Sequence, residues 1–69
     1  MTVTLVSLKS GESITIKGVN EFINGSKWYW IECEGIDNKE LSEVACGYSP
    51  TERYGKVKTK DYQLLNIEA

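Results

Sequence analysis

The sequence predicts an all-β domain, and three features carry that prediction. Thr, Val, Ile, Trp and Tyr, which suit a pleated, half-buried surface, gather in short runs. Gly, Asn, Asp and Ser separate the runs, as turn residues do. No stretch of useful length repeats its apolar residues at the helical period of about 3.6. Short strands with a turn every eight to twelve residues or about that read as a small barrel or sandwich.

The first run is Thr2 to Lys9, closed by the turn pair Ser10-Gly11. In the second, Ile14 and Ile16 alternate with Thr15 and Lys17. Gly18 interrupts it as a bulge or bend, because a tightly curved strand tolerates a residue without a side chain. Asn24-Gly25-Ser26 marks the next turn. Trp28 to Glu34 forms the third run, Gly35 to Lys39 a loop, and Ser42 to Tyr48 a fourth run. Pro50 has no N–H to donate, so Ser49-Pro50-Thr51-Glu52 does not continue a central strand. Lys56 to Lys58 follows, then a turn, then Gln63 to Ile67.

Side-chain parity orients the third run. Tyr29, Ile31 and Cys33 share one face of it, and Trp28, Trp30, Glu32 and Glu34 share the other. Two glutamates without partners do not enter a core of this size, so theirs is the wet face. In the fourth run Val44, Cys46 and Tyr48 share a face. A hairpin that pairs Cys33 with Cys46 also pairs Ile31 with Tyr48 and turns every apolar residue inward. That register is the expectation.

Composition removes several function classes. The chain has 69 residues, enough for one domain with one core. Ten acids against eight bases leave a net charge of −2, which argues against a general nucleic-acid or membrane-surface binder. Histidine is absent, and with it imidazole bases, imidazole metal ligands and histidine-activated nucleophiles. Two cysteines, Cys33 and Cys46, do not make a four-ligand zinc site, and nothing basic adjoins either to activate a thiol. Buried, reduced cysteines are expected. No cofactor, no metal and no enzymatic activity are expected either, since a small barrel filled by its own side chains lacks a catalytic pocket. The first residues lack a basic, apolar leader, and no window is long enough to span a bilayer. A cytoplasmic protein without membrane contact is the resulting expectation.

Three pieces of the sequence resemble the SH3-like barrel family, in particular its bacterial branch. They are Leu8-Lys9-Ser10-Gly11-Glu12-Ser13-Ile14-Thr15-Ile16-Lys17-Gly18, then Gly25-Ser26-Lys27-Trp28-Tyr29-Trp30-Ile31, then Tyr54-Gly55-Lys56-Val57-Lys58-Thr59-Lys60-Asp61-Tyr62-Gln63-Leu64. They follow the family's order: a leucine–glycine turn into a strand, an aromatic pair opening the next, then glycine–aliphatic, a short turn and a tyrosine. Two departures are present. The segment between residues 35 and 53 is longer than usual, and Lys58-Thr59-Lys60-Asp61 stands where the polyproline-binding branch often has a proline. The resemblance implies a small five-stranded SH3-like barrel spanning residues 1–69, with an enlarged loop segment at 35–53. It further implies a non-catalytic module that binds a protein or peptide, with Trp28 lining the groove and Tyr62 across from it.

The candidate partner-binding residues are Trp28, Trp30, Tyr54 and Tyr62. The tryptophans either form an exposed recognition platform or cover the open end of the barrel. A second candidate is the run from Arg53 to Lys60, where Arg53, Lys56, Lys58 and Lys60 meet no acid. Such a run either grips a phosphate backbone or protects an edge strand from unwanted pairing. From Ile31 to Glu52, six acids against one base leave a net of −5, either an acidic docking surface or a solvated loop. Assembly through sheet edges is a third possibility for function. The small size and the missing leader suit an intracellular accessory or mobile-element protein.

Overall fold

The computed structural model describes residues 1–69, which form six strands and one short helix. In order these are β1 (Thr2–Ser7), β2 (Ser13–Ile16), β3 (Val19–Asn24), β4 (Trp28–Cys33), α1 (Lys39–Val44), β5 (Tyr54–Lys58) and β6 (Tyr62–Glu68). They make two antiparallel three-stranded sheets, β2-β1-β6 and β3-β4-β5. The molecule is a small all-β domain apart from that helix.

Gly18 is the corner between the sheets. β2 and β3 flank it within one continuous run, but β2 pairs with β1 while β3 pairs with β4. Its φ of 68° lies in the left-handed region, which costs glycine nothing and L side chains about 1 kcal/mol or more. A Cβ there would also press on the Glu34 side chain at 3.2 Å. The bend expected at Gly18 is therefore present. The same corner is fastened by Met1, whose ammonium donates to the Val19 carbonyl at 2.7 Å while its carbonyl accepts from the Val19 N–H at 2.8 Å.

The core lies between the sheets. Val3 and Leu5 of β1, Ile16 of β2 and Val19 of β3 meet Tyr29, Ile31 and Cys33 of β4, Val57 of β5 and Leu41 of α1. The strict alternation along β4 puts Tyr29, Ile31 and Cys33 inside, as the parity of its glutamates predicts. Tyr29 also crosses the core: its hydroxyl accepts from the Leu64 N–H at 3.1 Å, linking β4 to β6 of the other sheet.

The expected fourth strand, Ser42 to Tyr48, is not formed. Its beginning belongs to α1, and β4 is flanked by β3 and β5 instead. Cys33 therefore sits opposite Val19, and Ile31 opposite Phe22 and Gly55, so the Cys33–Cys46 and Ile31–Tyr48 pairings are overturned. Cys33 is buried as expected, but Cys46 is exposed. The physical reason is local. The Asn38 side chain accepts from the Leu41 N–H at 2.9 Å and caps the helix, with Glu40 in its first turn. Leu41, Val44 and the cap residue Ala45 follow at one-turn spacings and pack on the core, where Tyr48 joins them from beyond the helix. Gly55 leaves the space the helix needs: a Cβ there would stand 2.9 Å from the Ala45 Cβ and 3.3 Å from Leu41.

Candidate functional site

The outer face of the β3-β4-β5 sheet gathers most of the residues singled out in the sequence. Strand register sets them in three rows. Trp28 faces Lys58; Trp30 stands between Ile23 and Lys56; Glu32 stands between Glu21 and Tyr54. All these side chains share the parity opposite to Tyr29 and Ile31, so burying the core leaves them outside.

Within that face the aromatic groups order one another. The Trp30 and Tyr54 rings stack with centroids 5.7 Å apart and planes 26° apart. The Lys56 ammonium reaches past its own row and lies 4.4 Å from the Trp28 ring centroid, against 5.9 Å from that of Trp30. Such a cation over an indole contributes about 0.5–1 kcal/mol at an exposed site. Trp28 and Trp30 are each half-buried, and Ile23 beside them is 50% exposed. The tryptophans thus rest on the sheet and keep open edges. Neither belongs to the core.

Beside Trp28 lies an open cleft of about 400 Å³ lined by Ser26, Lys27, Trp28, Lys58, Thr59 and Lys60. Thr59 holds its walls together: its N–H donates to the Lys27 carbonyl at 3.0 Å and its hydroxyl to the Ser26 carbonyl at 2.9 Å. Lys27, Lys58 and Lys60 thus line the same cleft as Trp28, and the Lys56 ammonium lies over that ring. Lys27 was not singled out by the sequence reading, because it lies far along the chain from the basic run. Its position before Trp28 was the available signal.

Two singled-out residues stand elsewhere. Tyr62 begins β6, opposite Ser7 in the other sheet, and lines a separate cleft of about 350 Å³ with Ser7, Ser10, Glu12, Ser13, Ile14, Glu43 and Val44. Arg53 sits in a left-handed turn at φ 61° and donates from Nη1 to the Glu34 carbonyl at 3.5 Å. The structure brings together Trp28, Trp30 and Tyr54, and Lys56 with Lys58 and Lys60, but neither Tyr62 nor Arg53 joins them.

No group of three or more Cys, Asp or Glu side chains is placed to hold a metal ion. The Cys33 thiol is pushed above its ordinary value of 9.0, first by burial and then by the neighbouring Glu32 and Glu34 carboxylates. That keeps it protonated and unreactive. No helix is long and apolar enough to cross a membrane. Comparison with known proteins finds no matching family model, no similar curated protein and no similar solved structure.

Proposed function

We propose that this chain is a non-catalytic interaction module that binds a protein or peptide on the outer face of the β3-β4-β5 sheet. One observation carries the reading: Trp28, Trp30 and Tyr54 cluster on a face that the core does not use. Large aromatic groups bring contact area at low entropic cost and are enriched at recognition surfaces. The nine buried core residues include none of the three. The finer assignment, an SH3-like barrel, is part of the proposal. It is supported by the run that bends at Gly18 to serve both sheets, and by the return of the last strand beside the first.

A second reading, nucleic-acid binding, is favoured by one specific feature, a cleft that Lys27, Lys58 and Lys60 line together with Trp28. Stacking of a base on an indole beside ammonium groups is how single strands are held.

The test is capture of partners from a native cell extract on the immobilised chain, run beside Trp28→Ala and Trp30→Ala. Proteins retained by the wild type and lost with either variant support the reading. An unchanged retained set overturns it.

A further inference from the structure

The aromatic face is electrically polar along its length. One end holds Lys58 beside Trp28, with Lys27 and Lys60 around the adjoining cleft and the Lys56 ammonium drawn toward the same indole. The middle row is Ile23 and Trp30, with the Tyr54 ring stacked on Trp30. The far row opposes Glu21 directly to Glu32. Like charges directly opposite on neighbouring strands destabilise a sheet, and nothing in the packing of the core requires this pair. From the Trp28 row to the Glu32 row is four residues, about 13 Å at the rise of an extended strand.

Resting on the proposed binding face, we propose that its occupant is an extended peptide segment of matching, opposite polarity. Its acidic residues sit among Lys27, Lys56 and Lys58, an aliphatic or aromatic residue covers Trp30 and Ile23, and a basic residue lies between Glu21 and Glu32. The span of about 13 Å accommodates four or five extended residues. Charge complementarity of this kind sets the orientation of a partner and suppresses wrong ones. A nucleic-acid strand fits less well. Its phosphates repeat the same negative charge along the strand, so one that follows this face from the lysine end meets two carboxylates. The net charge of −2 adds a weak opposing field.

The test uses the full chain and a random eight-residue peptide library displayed at low salt. The expected result is enrichment of peptides with acids at one end, an apolar centre and a base at the other. A labelled peptide of that consensus should bind Lys56→Glu/Lys58→Glu at least tenfold more weakly, with the variant's thermal melt confirming that it folds. A peptide with acids replaced by lysines should regain affinity for the same variant. Enrichment of peptides without charged ends, but dependent on Trp30, overturns the polarity and keeps the binding face. Enriched peptides whose affinity is unchanged by Trp30→Ala, or no enrichment at all, overturn both. A labelled twenty-nucleotide thymidine strand that binds more tightly than the consensus peptide also overturns the inference, in favour of nucleic acid.

Discussion

On the outer face of the β2-β1-β6 sheet, Thr4 stands between Thr15 and Asn66, and Val6 between Ser13 and Gln63. At matching places on the β3-β4-β5 sheet, Trp30 stands between Ile23 and Lys56, and Glu32 between Glu21 and Tyr54. Both sheets turn a similar apolar lining inward. Their outer faces differ in kind. On the first, the hydroxyls of Thr4 and Thr15 meet at 3.2 Å, and the neighbouring positions hold Val6, Ser13, Gln63 and Asn66, with no aromatic ring and no charge. The second carries large rings and opposed charges that a solvated face does not need. A fold of this size is thus held by one face of each sheet, and the aromatic outer face lies outside that core.

The largest expected effect tests whether the inner lining alone holds the fold. Ile31→Ala removes a fully buried side chain at the centre of β4 and should cost about 2–5 kcal/mol, measured by chemical denaturation. For a domain whose total stability is expected at the low end of about 5–15 kcal/mol, that is a large share. Loss below about 1 kcal/mol would mean that the core is organised elsewhere.

Gly55→Ala should cost about 1–3 kcal/mol, because its new methyl meets the Ala45 Cβ at 2.9 Å and must push α1 away. Pairing it with Ala45→Gly should recover part of the loss. No recovery would place the strain on the Leu41 side chain, 3.3 Å from the same added Cβ.

Trp28→Ala sharpens the contrast from the other side. Its loss should lower stability by about 1 kcal/mol or less, since the residue is half-buried and its named partner is the Lys56 ammonium. Partner capture should nonetheless be abolished, as for an aromatic anchor. An unfolded Trp28→Ala would assign the indole to the core and end the distinction between the faces.

A smaller effect is expected at alkaline pH. The Cys33 thiol titrates above its ordinary value of 9.0 in the folded protein, so the unfolded chain ionises first. Stability from this group is present below pH 9.0 and is lost as pH rises through the folded value. Cys33→Ala should flatten that part of the denaturation-versus-pH profile. Because Cys46 is exposed, Cys46→Ala should change stability by no more than about 0.5 kcal/mol.

The smallest effect is expected on the other sheet. Thr15→Val keeps shape and β-propensity on an exposed position and should change both stability and partner capture negligibly, within about 0.5 kcal/mol. A loss of capture would move the recognition surface to the wrong sheet.

Local chemistry by itself determined the strands of the first half, the bend at Gly18 and the inside–outside parity of β4. These follow from preferences of a few adjacent residues: alternation, a left-handed glycine, and the refusal of Glu32 and Glu34 to enter a small core. The segment after Cys33 was not legible in this way. Val44, Cys46 and Tyr48 satisfy a two-residue period, while Leu41, Val44, Ala45 and Tyr48 satisfy a helical one, and six helical residues are too few for pattern to arbitrate. Tertiary packing decided it, through the space above Gly55 that Leu41 fills and the Asn38 cap that starts the turn. The candidate site divides along the same line. Trp28 and Trp30 were readable as neighbours on one outward face once parity was set. The arrival of Lys27 beside Lys58, and the removal of Tyr62 to the other sheet, depend on which distant strands pair, and those pairings are settled by burial of the whole core.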